Sequence, residues 1–254
     1  MLSKAEIKRI SRYKQSKFRN QDGLFVVEGE KMLEELLDSN YEIATIYATK
    51  QWIDNNKSKI HQKSIENKIS EASEEDLNKI TLLSTPNQVY ALAKMPQSPN
   101  TFQSKGLTIL LDGIKDPGNL GTIIRLADWF AVERIICSQD CVDVYNPKTV
   151  QSTMGSIFRV NVEYIELKIF LENLPKDYPI YGSIVEGGES IYEKSFQKDS
   201  ILVIGSESHG ISQEIRKYIN HNITIPRFRT DNKPESLNAS IATAIIISEI
   251  LKTK

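Results

Sequence analysis

The sequence has few of the residues that cross-link small proteins or hold metals. Its 254 residues include only two cysteines, Cys137 and Cys141, and three scattered histidines. Two cysteines are too few for a disulfide framework, and no histidine stands near them at the spacing of a zinc site. We therefore expect free thiols and no structural metal.

Long apolar runs are also missing. No stretch approaches the roughly 20 consecutive apolar residues that a membrane-spanning helix needs, and the first residues lead into basic sequence rather than into the apolar core of a signal peptide. We expect a cytoplasmic location and no membrane partner. With 40% hydrophobic and 26% charged residues, the composition is that of a folded chain of one large or two ordinary domains.

The net charge of −1 conceals a basic segment near the start of the chain. Glu6 is its only acid, and its basic residues are Lys4, Lys8, Arg9, Arg12, Lys14, Lys17 and Arg19. Ser3 can cap a helix, and the apolar residues that follow recur at near-helical spacing, so we predict one amphipathic helix over residues 3–18. Its basic face suits the phosphates of nucleic acids, although an ordinary solvated helix face would carry the same charges.

The pattern changes along the chain at a proline-containing stretch. Residues 1–95 predict a small α/β domain with strands at 24–27, 43–48 and 65–69. Two prolines make residues 96–106 a linker. Residues 107–254 alternate helices with strand-like apolar runs at 107–111, 134–137, 180–185 and 201–204. Such alternation predicts a parallel sheet covered by helices on both faces.

In open parallel sheets ligands bind beyond the carboxyl ends of the strands, and the loop after residues 107–111 is the first candidate. Asp116 can cap a helix that begins at Pro117, and Arg125 lies off the apolar stripe of that helix. Read locally, Arg125 could simply pair with Asp128 three residues on. The glycines here lack the G-x-G-x-x-G spacing, which disfavours a nucleotide-binding oxidoreductase.

Two further loops carry polar residues at comparable positions. Glu207 follows the buried run 201–204, where it could reach a ligand or cap the next helix. Ser236 and Asn238 precede a strongly apolar helix, where each could be an ordinary cap. Taken one at a time, these loops therefore leave both a functional and a structural interpretation open.

Taken together and in order, the three loops resemble the signature motifs of the SpoU (TrmH) family of RNA ribose 2′-O-methyltransferases, in the SPOUT superfamily. The first motif corresponds to residues 116–125, the second to residues 205–210, and the third to Ile225-Pro226 with residues 236–240. Residues 17–29 are similar to the substrate-binding domain of that family, so the resemblance covers essentially the whole chain.

The resemblance implies a fold, a cofactor and partners. It implies that residues 107–254 form a trefoil-knotted parallel sheet, preceded by a small α/β RNA-binding domain. It also implies S-adenosylmethionine as cofactor and a homodimer whose active site uses both subunits. The implied substrate is RNA, and the leading domain favours ribosomal over transfer RNA. Physical rules alone would have predicted an ordinary doubly wound sheet, because they exclude knots.

The resemblance also assigns roles to residues. The implied catalytic residues are Asn119, Arg125, Glu207, Ser236 and Asn238. Because a guanidinium stays protonated, the arginine is expected to position and polarise the ribose hydroxyl. The backbone of Gly205, Ile225 and Leu237 is expected to contact the cofactor. The expected RNA contacts are Lys14, Lys17 and Arg19.

The chain departs from the family pattern in two places. Ser206 and Ser208 flank Glu207 where asparagine and glycine are common. The segment 227–235 is longer and more basic than usual, with Arg227, Arg229 and Lys233. These cations could add RNA contacts or reshape the cofactor pocket, or they could belong to a solvated loop.

Two other functions compete with ribose methylation. A non-catalytic RNA-binding protein of the same fold would not need all five implied catalytic residues. A base-methylating SPOUT enzyme is the nearest alternative, and the Ser236-Leu237-Asn238 sequence favours ribose chemistry over it.

Overall fold

The protein is described here from a computed structural model, which describes residues 2–83, 87–96, 105–228 and 236–252. The chain forms two compact units, Met1–Ser98 with Asp143–Phe158, and Pro99–Val142 with Arg159–Lys254. Residues 143–158, within the predicted second domain, thus belong to the first unit. The predicted linker lies largely outside the described residues.

Within the described residues the secondary structure follows the chain in this order. The α-helices are α1 (Lys4–Ser11), α2 (Ser16–Asp22), α3 (Glu30–Leu37), α4 (Lys50–Asn55), α5 (Lys57–Gln62), α6 (Glu74–Ile80), α7 (Pro117–Trp129), α8 (Pro147–Thr153), α9 (Leu167–Glu172), α10 (Gln213–Arg216) and α11 (Ala239–Leu251). The β-strands are β1 (Leu24–Glu28), β2 (Ile43–Ala48), β3 (Ile69–Glu71), β4 (Val89–Lys94), β5 (Leu107–Asp112), β6 (Arg134–Cys137), β7 (Asn161–Tyr164), β8 (Ile180–Ser183), β9 (Glu189–Ser190), β10 (Ser200–Gly205) and β11 (His221–Thr224). Short 3₁₀-helices span Arg12–Lys14, Glu66–Lys68 and Ser156–Phe158.

The first unit contains a mixed sheet in the order β1-β4-β2-β3. Strand β4 runs antiparallel to both β1 and β2, and β3 is parallel to β2. The predicted strands at 24–27 and 43–48 are confirmed as β1 and β2. The predicted strand at 65–69 is wrong, because a 3₁₀-helix occupies residues 66–68 and β3 starts at Ile69. Strand β4 was not predicted, although its residues Val89–Leu92 are all apolar and buried.

The predicted single helix over residues 3–18 is also wrong. Ser3 does cap α1, since its Oγ accepts a hydrogen bond from the backbone N of Glu6 at 3.2 Å. The backbone becomes extended at Gln15, which separates the 3₁₀-helix after α1 from α2. Tyr13, just before this break, is buried in the hydrophobic core of the unit. A single continuous helix would not change direction after Tyr13 as the chain does here.

The segment 143–158 packs on the first unit through aromatic and helical contacts. Helix α8 contacts β1. The ring centroids of Phe25 and Tyr145 are 4.7 Å apart, and the ring of Tyr41 lies edge-on to that of Phe158 with centroids 5.2 Å apart. Aromatic pairs bury large apolar areas, so these contacts attach the segment to the sheet.

The second unit is built on a sheet of seven strands, all parallel, in the order β7-β6-β5-β10-β8-β11-β9. This confirms the predicted parallel sheet flanked by helices. The central strands β5 and β10 pair along their whole length, from Ser200 opposite Leu107 to Gly205 opposite Asp112. Their side chains are buried almost throughout, as expected of strands covered on both faces. The loops that follow β5 and β10 therefore start side by side. The implied knot stays a prediction.

Two long helices of the second unit, α7 and α11, pack against each other. Helix α7 contacts α11, and α11 also contacts β10. Helix α11 is apolar almost all round, which is typical of a helix packed within a protein. Over the described residues, neither these helices nor any other is long and apolar enough to cross a membrane.

Candidate active site

The side chain of Asn119 lies at the centre of a hydrogen-bond chain in the second unit. Asp116 caps α7, and its Oδ1 accepts the backbone N of Asn119 at 2.8 Å, as the sequence predicted. Asn119 as a whole is 9% exposed. Its Nδ2 donates to Oε1 of Glu207, and its Oδ1 accepts from Nδ2 of Asn238 at 2.9 Å. One side chain from each of the three motifs is thereby joined to the others.

The loop after β10 presents Glu207 at an exposed turn. The backbone N of Ser206 donates to the oxygen of Gly210 at 3.1 Å, and the N of Gly210 donates back to the oxygen of Ser206 at 2.9 Å. This reversal explains two glycines: a Cβ at Gly205 would collide with the backbone of Gly210, and Gly210 has a φ of +65°.

Asp112 connects this loop to the neighbouring strand. Its Oδ2, at the end of β5, accepts the backbone N of Ser212 at 2.7 Å. Ser212 is itself the cap of α10, because its Oγ accepts the backbone N of Ile215. The alternative that Glu207 caps this helix is therefore wrong, and the carboxylate of Glu207 is directed to Asn119 instead.

Asn238 has two functions at once. Its Oδ1 accepts the backbone N and the Oγ of Ser240 at 3.0 and 2.7 Å, so it caps α11. Its Nδ2 makes the bond to Asn119. The capping and the functional interpretations of Asn238 thus both describe the same side chain.

Arg125 does not join this chain of hydrogen bonds. It is exposed on α7, and over the described residues its guanidinium has no hydrogen-bond or ion-pair partner. The alternative of a pair with Asp128 is also wrong, because Asp128 binds Arg159, whose Nη2 lies 2.8 Å from its Oδ2. Trp129, one helical turn after Arg125, is 84% exposed. The two side chains share one exposed face of α7.

A cavity of about 320 Å³ opens beside Glu207. Its walls include all three residues predicted to contact the cofactor, Gly205, Ile225 and Leu237, together with Glu207 and Ser236. Of the remaining wall, the motifs and the basic segment singled out from the sequence contain Ser206, Gly210, Pro226, Arg227, Phe228 and Ala239. The wall residues that were not singled out as site residues are Ser183, Ile184, Val185, Ile204, Thr224 and Ala242. The end of β8 supplies part of that wall, and its position beyond a parallel strand was the available signal.

In the first unit the three predicted RNA contacts differ in exposure. Lys14 and Lys17 are exposed. Arg19 is 1% exposed, and its Nη1 donates to the backbone oxygens of Tyr13 and Lys14 at 2.8 and 2.9 Å. Its Nη2 lies 2.5 Å from Oδ2 of Asp143. The prediction for Arg19 is wrong, because this guanidinium is buried and stabilises the fold of its own unit.

The two cysteines are neighbours in the second unit. Both are free and buried. A hydrogen bond between them lowers the pKa of the Cys141 thiol to about 7 and raises the pKa of the Cys137 thiol well above its ordinary value. Among the residues that the structure describes, there is no group of three or more histidine, cysteine or acidic side chains able to hold a metal ion.

Comparisons with known proteins agree with this geometry. Residues 106–248 match the SpoU rRNA Methylase family, and residues 4–91 match the MRM3-like substrate binding domain. The chain is 28% identical over 234 residues to the 23S rRNA (guanosine(2553)-2′-O)-methyltransferase RlmP of Bacillus subtilis, which covers 91% of this chain and 90% of that protein.

Two solved structures resemble the whole chain. A TrmH-family protein from Porphyromonas gingivalis is 33% identical, covers 98% of both chains and superposes with a TM-score of 0.84. An rRNA methyltransferase from Sinorhizobium meliloti, solved with bound AdoMet, is 25% identical, covers 98% of this chain and 95% of its own, and gives a TM-score of 0.85. By its family match, its relatives and its fold, the chain belongs to the SpoU rRNA methylase family.

Proposed function

We propose that the protein transfers a methyl group from S-adenosylmethionine to a ribose 2′-hydroxyl of RNA, in ribosomal rather than transfer RNA and in the cytoplasm. The observation that carries this proposal is the hydrogen-bonded set Glu207-Asn119-Asn238, of which Glu207 lines a ligand-sized cavity. The B. subtilis relative, which this chain matches over most of its length, is named as a 2′-O-methyltransferase of 23S rRNA.

The cavity fits S-adenosylmethionine. Its volume of about 320 Å³ lies within the range of about 300–1,000 Å³ that is typical of small-molecule sites. Apolar walls from Ile204, Ile225 and Leu237 suit a purine ring, and nearby hydroxyls and backbone groups suit the polar parts of the cofactor. Gly205 allows the backbone of Gly210 to pack directly against this wall, since a side chain at Gly205 would collide with it.

Glu207, Asn119 and Asn238 would act mainly by positioning the reacting groups. The cofactor supplies a methyl group activated on a sulfonium sulfur. Asn119 holds the carboxylate of Glu207 in one orientation at the cavity wall, and Asn238 fixes Asn119 from the other side. Holding groups in the reactive geometry lowers the barrier without any further chemistry from the enzyme.

The ribose hydroxyl must also lose its proton. We infer that Arg125 donates hydrogen bonds to this hydroxyl or to an adjacent phosphate. A guanidinium stays protonated, so it can donate hydrogen bonds but cannot take up the proton itself. Charge-assisted hydrogen bonds of this kind stabilise the oxyanion that develops as the proton leaves. The final proton acceptor is solvent in this scheme.

We propose further that the active site is completed in a homodimer. Arg125 is exposed and stands outside the hydrogen-bonded chain, and Trp129 extends the same face of α7 with an 84% exposed indole. A large exposed aromatic beside a cation is typical of the centre of a protein interface. Pairing of two such faces would cover Trp129 and allow Arg125 of one subunit to act at the cavity of the other.

RNA binding is proposed for the first unit, through the exposed Lys14 and Lys17. Lysines attract phosphates without reading sequence, so these residues would hold RNA while the second unit selects the ribose. Of the basic segment 227–235, Arg229 and Lys233 lie outside the described residues. Arg227 is described, and its Nη1 lies 3.3 Å from Oε1 of Glu186.

The experiment that tests this function is transfer of labelled methyl from S-adenosylmethionine to total RNA from cells that lack the protein. Nuclease digestion and identification of the labelled nucleoside then follow, with the Glu207→Ala variant as a control for contaminating activity. A 2′-O-methylated nucleoside that maps to ribosomal RNA is the expected result. A methylated base would favour the base-methylating alternative, and binding of cofactor and RNA without transfer would favour the non-catalytic one.

A further inference from the structure

Phe228 is a solvent-exposed aromatic residue at the wall of the cofactor cavity. Its exposed fraction is 89%, and it lines the cavity. Two other cavity residues are exposed apolar side chains, Val185 at 48% and Leu237 at 47%. A phenyl ring left in water costs free energy in proportion to its apolar area, so a ring exposed at a binding site points to a ligand that covers it.

The placement of Phe228 distinguishes it from other exposed aromatic residues. Trp129 and Tyr192, exposed by 84% and 49%, are not part of the cavity wall. Phe228 follows Ile225 and Pro226, which line the cavity, by only a few residues. The chain thus leads directly from the proposed cofactor contact at Ile225 to the exposed ring.

The chemistry at this wall matches an unpaired nucleobase. RNA that delivers a 2′-hydroxyl to an enzyme is read mainly in single-stranded or splayed regions, where bases stack on aromatic rings and on guanidinium planes. Arg227 supplies such a guanidinium beside Phe228, held by Glu186 with Nη1 at 3.3 Å from Oε1.

We propose that Phe228 is the stacking platform for an unpaired base of the RNA next to the methylated ribose. The inference rests on the proposed function, because it takes the neighbouring cavity to be the cofactor site. Every base has a π-face, so this contact would orient the strand at the cavity without selecting one base. Phe228 is thus a positioning contact to the substrate that complements the phosphate contacts of the first unit.

The test compares four variants with the wild type, each loaded with S-adenosylmethionine. The probe is a fluorescent single-stranded oligoadenylate of about 12 nucleotides, within the range that one binding fold commonly covers. Phe228→Ala and Phe228→Leu should each weaken its binding on the order of tenfold, because stacking needs an aromatic face. Phe228→Trp should bind as tightly as wild type. Tyr192→Ala, an exposed aromatic outside the cavity wall, should also bind as wild type.

Three results would overturn the proposal. Wild-type RNA affinity in Phe228→Leu would show that apolar area alone matters. A loss confined to S-adenosylmethionine affinity, measured by calorimetry, would show that Phe228 covers the cofactor instead. Conversion of the variants to smaller species in sedimentation would show that the ring belongs to a subunit interface.

The same set of proteins separates this inference from the proposed function. If wild type transfers no methyl to RNA but Phe228→Ala and Phe228→Leu still lose oligoadenylate binding, the stacking role stands and the catalytic function fails. If wild type methylates ribose and all variants keep wild-type KM for RNA and oligoadenylate affinity, the stacking role fails alone. With both in place, the KM for RNA should rise in Phe228→Ala while affinity for the cofactor stays unchanged.

Discussion

Asn238 donates a hydrogen bond from Nδ2 to Oδ1 of Asn119 at 2.9 Å, across 119 positions of the sequence. The bond orients the Asn119 amide, since accepting at its oxygen leaves its nitrogen to donate to Glu207. The caps of α7 and α11 fix the two backbones that carry these amides. The orientation of these side chains therefore depends on the capped starts of two helices.

Asn238→Asp should separate the capping role of this residue from its role in the site. Aspartate keeps the oxygen that caps α11 and is favoured at helix starts, so thermal stability should change little. It loses the donor to Asn119, whose oxygen then faces a carboxylate, and kcat should fall tenfold or more. Melting temperature and labelled methyl transfer measure the two effects.

Asn146→Asp is the matched control, because Asn146 caps α8 in the first unit through the same kind of bond, to the backbone N of Lys148 at 3.0 Å. Its activity should equal that of wild type. Full activity in Asn238→Asp would remove the bond to Asn119 from the mechanism.

Mixed dimers should reveal whether Arg125 acts across subunits. Arg125→Ala and Glu207→Ala should each fold, because both changes are on exposed side chains. Each should lose at least tenfold in methyl transfer, because each removes a group that the proposed mechanism needs. When the two variants are co-expressed with different tags and purified as a mixed dimer, one of its two composite sites carries both native residues. Activity should then return to about half that of wild type.

The control for this experiment is a mixed dimer that carries both substitutions in the same subunit. A composite site predicts that it stays inactive, because each site then lacks one residue. If instead this dimer is the active one, Arg125 and Glu207 act within a single subunit.

The sequence named the three side chains that the hydrogen bonds of the candidate site join, but it missed parts of the local structure elsewhere. Glu207, Asn119 and Asn238 were all named from the sequence, although Glu207 and Asn238 each had a capping alternative. Their contact is a consequence of sheet order that no local pattern contains. Arg19 was misjudged for the same reason: its partner Asp143 lies 124 positions away, so the sequence offered a basic face where the fold buries an ion pair. Strand β4 was overlooked because a short apolar run has no periodicity to distinguish strand from helix. Phe228 carried no signal, since exposure is a property of the fold.

Charge reversal of Lys14 and Lys17 should weaken RNA binding by removing phosphate contacts. In the double variant Lys14→Glu with Lys17→Glu, RNA affinity should fall, and the slope of log K against log salt should become shallower by about 2. Affinity for S-adenosylmethionine should not change. Fluorescence anisotropy with ribosomal RNA fragments at several salt concentrations measures the slope.

A double variant of equal charge, Lys176→Glu with Lys198→Glu, serves as the control, because these exposed lysines lie in the second unit. It should leave the slope near that of wild type. Equal slopes in both double variants would mean that RNA responds to net charge and not to the basic segment.

Arg19→Ala should destabilise the protein without any direct effect on RNA. The guanidinium is buried against two backbone oxygens and Asp143, and removing one partner of such a network costs about 3 kcal/mol. The midpoint of urea unfolding should fall accordingly. Lys17→Ala, at an exposed position on the same helix, should change the free energy of unfolding by less than about 0.5 kcal/mol. A stable Arg19→Ala protein with weakened RNA binding would restore the role that the sequence suggested.

The carboxyl of Glu28 should make the stability of the first unit depend on pH. Burial raises the pKa of Glu28 above its ordinary value of 4.5, although hydrogen bonds from Thr81 and from the backbone N of Leu82 oppose this shift. A raised pKa means that the folded protein binds the proton more tightly than the unfolded chain, so the stabilisation is complete below pH 4.5 and is lost as pH rises through the folded pKa.

Glu28→Gln keeps an acceptor but cannot ionise. Its urea midpoint, compared with that of wild type from pH 4 upward, should therefore gain on wild type as pH rises. Thr81→Val removes a bond that favours the charged form, and it should move the loss to higher pH. A constant difference between Glu28→Gln and wild type over this range would show that the carboxyl does not titrate as its burial requires.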